Sequence, residues 1–393
     1  MIFALIILCL FWLVVSYICS RQNIFSPMVL TAGVWLVCIV LFLILPHHLP
    51  ELTSQFCTAI ALWLSVFALS SLTVQSCHFS DYNYSFSKTI RDFYFFASIC
   101  CIPLLAIFVY NALHFGTSGN WAWDLRAAAL GYGENSSKTY YAPFYSCLWQ
   151  VTYLFYLIDC DKKHWRRAAV MFCLVLGYAF ATMSKTLILN VFVMTIFVLY
   201  RRNIIKLKHI LVGVLALFVG LFALQAIRQA MTINEGTAND TLVLYLLSSM
   251  SAFDTVTPFS SENFGENTLR IFYAIGYKIG LTSTEPINPI LPFIDKPIYT
   301  NTYTILYPFF KDFGYWGIGI GAAIIGALFG WIFKKQQSDS QAFIIIYAYF
   351  CTTLITQYNG ESILTNFAGH TKIVLLICLP YIVGRYHLLD KRK

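Results

Sequence analysis

Long apolar runs separated by short polar stretches make up most of this chain. Runs at roughly 1–19, 26–45, 56–76, 93–113, 141–158, 209–227, 313–333, 341–357 and 371–387 are each close to the ~20 residues that one helical crossing of a bilayer needs. The first has no Lys or Arg before it and no small-residue cleavage site after it, so it is expected to stay as a span rather than act as a signal peptide. One further run, Ala168 to Tyr200, has 33 residues. As a single helix it would be about 50 Å long against a hydrocarbon core of about 30 Å.

Charge resolves that run. The loop before it holds Lys162, Lys163, Arg166 and Arg167, and the loop after it holds Arg201, Arg202, Lys206 and Lys208. Basic loops stay cytoplasmic, so both ends face the same side and the run should cross twice, with Lys185 at the tip of the hairpin. The pattern therefore predicts an all-α, polytopic helix bundle of about eleven transmembrane helices. It forms a single integral membrane domain over 1–393, with the N-terminus outside and the C-terminus inside. The inner side then carries 17 basic and 6 acidic residues and the outer side 9 and 12.

Composition agrees and narrows the function. The chain is 59% apolar and 11% charged, with 26 basic and 18 acidic residues, whereas a soluble domain carries about 25% charge. A soluble enzyme, a disordered chain and a nucleic-acid-binding domain are excluded. None of the 12 cysteines lies in the two long outer loops, 114–140 and 228–312, which excludes an external disulfide framework. No CxxC or His/Cys cluster suggests a metal, and His47-His48 reads as a turn beside Pro46 and Pro50. The inner loops are short and lack a GxxxxGK phosphate cradle, so no ATP and no other cofactor is expected.

The material for a site is outside. A structureless loop of the length of 228–312 is improbable unless it is functional. Within it, Asp240 to Phe253 and Asn267 to Gly280 are apolar on helical spacing but too short to span, and they read as interfacial helices on the outer leaflet. A segment rich in Pro and Asn follows, from Pro286 through Asn301-Thr302-Tyr303-Thr304 to Tyr307-Pro308, and should fold back over the bundle mouth as ordered turns. The outer aromatic residues, among them Trp121, Trp123, Tyr299, Tyr303 and Tyr307, fit either an interfacial belt or sugar stacking.

Four of the outward cations stand out: Arg126, Lys185, Arg228 and Arg270. Cations near the membrane interior are costly and mark functional sites, although long side chains also snorkel to lipid phosphate. Several at outer-headgroup depth would suit a lipid-linked diphosphate, since Arg offers phosphate a planar fork. A sugar hydroxyl would then need a general base. The outer carboxylates that could serve are Asp254, Glu285, Asp295 and Asp312, with His370 a further option; Asp254, Glu285 and Asp312 are the catalytic candidates.

In its order of parts the chain resembles the oligosaccharide repeat-unit polymerases, the O-antigen polymerase (Wzy-type) family. The matching pieces are Ser26-Pro27 opening the second span with Trp35 inside it, Trp123-Asp124-Leu125-Arg126, Met183-Ser184-Lys185, and Asn301-Thr302-Tyr303-Thr304 through Pro308 to Asp312-Phe313-Gly314 ahead of a Gly-rich span. The resemblance implies a glycosyltransferase of the bacterial inner membrane that moves a growing glycan from one polyprenyl diphosphate to another lipid-linked repeat unit, for O-antigen, capsular or exopolysaccharide synthesis. It implies sugar contacts at Asn301 and Tyr303, membrane lipid as surroundings and a chain-length regulator protein as partner. Lys185 departs from the Arg that family members often carry there. The rival readings are an O-antigen ligase, with the same chemistry, and a polysaccharide flippase or transporter, although no internal repeat of the transporter kind is visible.

Overall fold

A computed structural model describes residues 1–79, 86–131, 142–159, 164–229, 243–288, 290–295, 299–338 and 340–390. Three residues named above lie outside this set: Lys162, Lys163 and Asp240. Among the described residues the chain is helical without strands, apart from one antiparallel bridge between Ile294 and Thr300.

The helices follow the apolar runs. They are α1 (Ile2–Cys19), α2 (Pro27–Ile44), α3 (Ser54–Ser76), α4 (Lys88–Cys100), α5 (Ile102–His114), α6 (Trp121–Leu130), α7 (Ala142–Ile158) and α8 (Trp165–Ala181). After them come α9 (Lys185–Arg201), α10 (Leu207–Gln229), α11 (Ser248–Phe253), α12 (Arg270–Lys278), α13 (Tyr307–Gln337), α14 (Gln341–Ile355) and α15 (Phe367–Asp390). Six stretches are long and apolar enough to cross a membrane: α1, α2, α3, Lys88–His114, α13 and the Phe367–Gly384 part of α15. The other four runs are helical as well, that from Ala168 to Tyr200 as both α8 and α9 and the rest as α7, α10 and α14. The run from Ala168 to Tyr200 breaks where the charge argument needs it to. Met183 takes a left-handed backbone with φ 49°, and the Ser184 hydroxyl caps α9 by accepting from the Leu187 N–H.

The chain forms two compact units. Unit 1 comprises 1–80, 236–338 and 353–367, and unit 2 comprises 81–235, 339–352 and 368–393. In unit 2, α7, α8 and α9 alternate in direction. At one end, Arg91 of α4 pairs with Asp159 at 2.7 Å, and Arg167 of α8 pairs with Asp92 at 2.9 Å. Tyr156 of α7 also donates to Asp92, at 2.7 Å. In the apolar interior, Gln150 of α7, Asn190 of α9 and Thr352 of α14 form a buried chain at 2.8 and 2.7 Å. Such interhelical hydrogen bonds hold bundles together in lipid, where apolar surface provides no drive for helices to associate.

In unit 1, α3 packs lengthwise on α13. A Cβ on Gly330 would lie 2.5 Å from the Ser71 carbonyl oxygen, so the two backbones touch through small residues. Ser26 and Pro27 open α2 at its N-cap and N1 positions, where a proline lacks only an N–H that has no intrahelical partner. Trp35, Phe56, Trp63, Phe253 and Phe310 are fully buried around this contact.

The two short helices expected on the outer leaflet part ways. No residue of α12 is buried, and Phe272, Ile275, Ile279 and Leu281 along and after it are exposed, as an interfacial helix requires. The other segment turns inward, correcting that expectation. Val243–Leu247 is a π-helical turn and all six residues of α11 are buried. Ser248, Ser249, Ser251 and Ala252 are small enough for close backbone packing, and the Phe253 ring sits 6.2 Å from Phe56 and 5.1 Å from Phe310.

Helix α13 is sharply bent at Gly314, whose φ of 58° and ψ of −144° are non-helical. The short arm 307–313 folds back so that Phe309 lies against Gly317 and Gly321 of the long arm. Those angles suit glycine alone, and a Cβ there would meet the Phe259 ring at 2.7 Å. Gly314→Ala should therefore destabilise the protein by about 1–3 kcal/mol. Gly319→Ala, where a Cβ meets nothing within 4 Å, should be close to neutral. Membrane level and thermal unfolding in detergent, compared for the two variants, check this.

Candidate functional site

Backbone without helical hydrogen bonds occurs at membrane depth only where protein buries it or where it lines a wet cavity. Unit 1 has two stretches outside α-helix, 300–306 and 356–366, the second with a 3₁₀ turn at Gln357–Asn359, and they meet at Gln357. This residue is 1% exposed. Its Oε1 accepts from the indole N–H groups of Trp35 at 3.3 Å and Trp63 at 3.1 Å. Its Nε2 donates to Thr31 at 3.0 Å, and its carbonyl accepts from the Ile305 N–H at 2.8 Å. Trp35 is the ninth of the 18 residues of α2 and Trp63 the tenth of the 23 of α3. The Asn301–Thr304 segment therefore leads to the bundle near the midpoints of α2 and α3.

Around it is a set of small polar groups. The Thr300 and Thr302 hydroxyls are 2.7 Å apart, and Ser248 of α11 reaches both at 3.4 Å. Ser249 Oγ, Ser251 Oγ and Asn359 Oδ1 are buried without a hydrogen-bond partner among the described residues. Asn301 is half-buried. Tyr303 is 4% exposed, and its hydroxyl is committed to the Pro292 carbonyl at 3.2 Å.

The three candidate carboxylates differ in how much of each is free. Asp312, 7% exposed, accepts from the Ser261 hydroxyl at 2.5 Å, from Asn267 Nδ2 at 2.7 Å and from the Thr268 N–H at 2.7 Å. It thereby fixes the chain leading into α12. Asp254 accepts from the Thr53 N–H at 2.9 Å, its hydroxyl at 2.5 Å and the Phe56 N–H at 3.2 Å, capping α3. Glu285 is exposed and accepts one hydrogen bond, from the Tyr277 hydroxyl at 3.0 Å. That bond raises the Tyr277 pKa above its ordinary value. Arg270 is half-buried at the start of α12, donating from Nε to the Ile287 carbonyl at 2.8 Å and from Nη1 to the Thr365 carbonyl at 3.5 Å. Partial desolvation lowers its pKa from the usual arginine range. Two of its five N–H groups are so engaged.

The remaining cations belong to unit 2. Asn120 caps α6 through the Ala122 and Trp123 N–H groups, and Asp124 secures the preceding turn through the Ser118 N–H at 3.1 Å. This aims Arg126 at the α8–α9 turn, where Nη1 lies 3.5 Å from the Thr182 carbonyl. Lys185, half-buried, is the first residue of α9. Arg126 and the Thr182–Lys185 turn are thus brought together from two separate motifs. Arg228 stands in the last turn of α10, and its side chain lies outside the described residues. His370, 8% exposed, is engaged with the Tyr349 hydroxyl at 3.1 Å.

Sequence reasoning missed Gln357 and the α11 serines. The signal for the first was a polar hexad, Gln357-Tyr358-Asn359-Gly360-Glu361-Ser362, closing an apolar run. Glu361 folds that hexad by accepting from the N–H groups of Ile363, Leu364 and Thr365.

Among known proteins, the family model described as "Putative O-antigen polymerase" matches residues 2–359. No curated protein and no solved structure matches the chain.

The geometry separates carboxylates that hold the fold from one that is available. Removing the acceptor of buried donors costs about 1–3 kcal/mol for each group left unpaired, so Asp312→Ala should lower the unfolding temperature and the membrane level together. Glu285→Gln keeps an acceptor for Tyr277 and should leave both near wild type. Equal loss of stability in the two variants would contradict this assignment.

Proposed function

We propose that this chain, which belongs to the O-antigen polymerase family and is thereby a multi-pass membrane glycosyltransferase of polysaccharide biosynthesis, polymerises oligosaccharide repeat units carried on polyprenyl diphosphate. The acceptor hydroxyl of one lipid-linked repeat unit attacks the anomeric carbon of the donor glycan. The carbon–oxygen bond to the donor diphosphate breaks, and its electron pair leaves with the diphosphate. Membrane lipid surrounds the reaction, and a chain-length regulator protein is the expected partner. The protein lies in the bacterial inner membrane with eleven crossings, N-terminus outside and C-terminus inside.

The observation that carries the reading is the pairing of Arg126 with the turn before α9. Two cations and the N–H groups of a helix N-terminus there suit an anion, and diphosphate gains charge as the glycosidic bond breaks. Arg126 and Lys185 are assigned to this anion in unit 2, with Arg228 a further candidate on α10. In unit 1, Arg270 and Asn301 are assigned to substrate binding, and Tyr303 to shaping the sugar segment from its buried position. Glu285 is favoured as the base that takes the acceptor proton, because one of its oxygens has no hydrogen-bond partner among the described residues. Asp254 and Asp312 are assigned to positioning, as their oxygens hold α3 and the approach to α12.

Phenotype separates the polymerase from its rivals. In a lipopolysaccharide-making host, loss of a polymerase leaves single repeat units still ligated to the lipid anchor. Loss of a ligase leaves none ligated, and loss of a flippase leaves none outside. A gel of envelope glycolipid from a deletion strain should show one band above the bare core; its absence would reject the polymerase.

The anion site has its own test. A lost contact to developing charge typically costs about 10² to 10³ in rate, so Arg126→Ala and Lys185→Ala should each abolish the polymer ladder while membrane level stays near normal. Arg126→Lys should restore it in part, because a point charge replaces a fork. Full ladders from both alanine variants at normal expression would remove these cations from the site.

A further inference from the structure

One exposed feature close to the Asn301–Thr304 segment has no part in the chemistry above. The bridge between Ile294 and Thr300, with hydrogen bonds of 2.9 and 3.1 Å, sets Phe293 beside Tyr299. Their rings stack at 4.7 Å with an interplanar angle of 13°. Both are largely in the open, at 51% and 62% exposure. The base beneath them is fixed by the Tyr303 hydroxyl on the Pro292 carbonyl and by the Ser248, Thr300 and Thr302 hydroxyls.

We infer that Phe293 and Tyr299 form a carbohydrate-binding platform, on which a pyranose ring of the growing glycan stacks beside Asn301. This rests on the polymerase reading above. Flat aromatic faces held in one orientation bind without losing rotamer freedom, and their contacts add to simple area burial. In the extended backbone around Thr300, Tyr299 and Asn301 share one face while Thr300 points away from it. Thr300 is indeed buried, with Asn301 half-buried and Tyr299 exposed. A sugar on the Tyr299 ring therefore has the Asn301 amide within reach of its hydroxyls.

Lipid is the rival occupant, and the charge beside Phe293 argues against it. Asp295 is exposed, and a charge is costly in hydrocarbon. On α12 the charge among the exposed apolar residues is Lys278, whose long side chain can snorkel to lipid phosphate, whereas the short Asp295 cannot. The platform binds glycan rather than reacting with it, so its role is to retain the product between additions and thereby lengthen the polymer.

The test uses the full-length protein restored to its deletion strain. Phe293→Ala combined with Tyr299→Ala should keep the protein in the membrane and keep the first additions but lose the longest chains. Tyr299→Leu keeps apolar bulk without a flat face and should shorten the ladder as well, while Tyr299→Trp should preserve it. A full-length ladder from Tyr299→Leu and from the double variant would overturn the platform. If the wild-type gene itself fails to restore a ladder, it is the polymerase reading that fails. Purified Phe293→Trp protein in lipid nanodiscs gives an independent readout. Adding lipid-free oligosaccharide released from the host polysaccharide should shift its tryptophan emission, with binding weakened about tenfold by Tyr299→Ala. Quenching of that emission by brominated lipid, with no response to the oligosaccharide, would assign the pair to the membrane interface and overturn the inference.

Discussion

Backbone in a membrane must find its hydrogen bonds within the protein, and in unit 1 that requirement falls on Gln357. At 15 residues, α14 rises only about 22 Å, less than a hydrocarbon core of about 30 Å, and the chain leaves α-helical geometry at its end. Gln357 makes this tolerable by joining two tryptophans, a threonine and the Ile305 backbone. From Ile305 the short arm of α13 carries Asp312, whose carboxylate fixes Asn267 and Thr268. Those residues lead into Arg270, and Arg270 returns to Thr365 in the loop that Glu361 folds. The circuit closes on the segment where it began. A disturbance at any point therefore reaches the substrate-binding candidates without touching them.

This circuit explains why carboxylates alike in sequence differ in role. Asp312 accepts four hydrogen bonds from other segments and Asp254 three, and around the buried Asp312 the alternative is an unpaired donor. A proton taken up by either during a reaction would replace an acceptor with a donor and loosen the segment it holds. Glu285 stands outside the circuit, bound to a single phenol that could accompany a change in its charge. A residue that must gain and lose a proton in each turnover is better placed there.

The fold was legible wherever a local pattern decided it. Apolar run length marked the helices, charge at both ends of 168–200 demanded a break that Met183 and Ser184 supply, and the periodicity of Asn267 to Gly280 marked an exposed apolar helix. Reading failed where a distant partner decided. The apolar periodicity of Asp240 to Phe253 is the same whether that face meets lipid or Phe56 and Phe310, and the chain elsewhere chose the second. Asp254 looks free until Thr53, 201 residues away, is beside it. Tyr303 and Tyr299 are both aromatic residues of one Pro-rich stretch, yet one is committed to Pro292 and the other is exposed. The cation set was legible as a list, and only the α6 cap and the turn after α8 show that Arg126 and Lys185 belong together.

The placing of Lys185 carries one more step of argument. A cation in the first turn of a helix opposes the helix dipole, at a cost of about 0.3–1 kcal/mol. No acidic residue stands in the first turn of α9 to offset it, and Arg126 adds positive charge to the same turn. An anion at that turn would make each of these contributions an attraction. A diphosphate there would face the dipole, the ammonium and the guanidinium together, and would be held more tightly as it departs with its extra charge than before. Groups that gain attraction as charge develops are what differential binding of a charged leaving group requires.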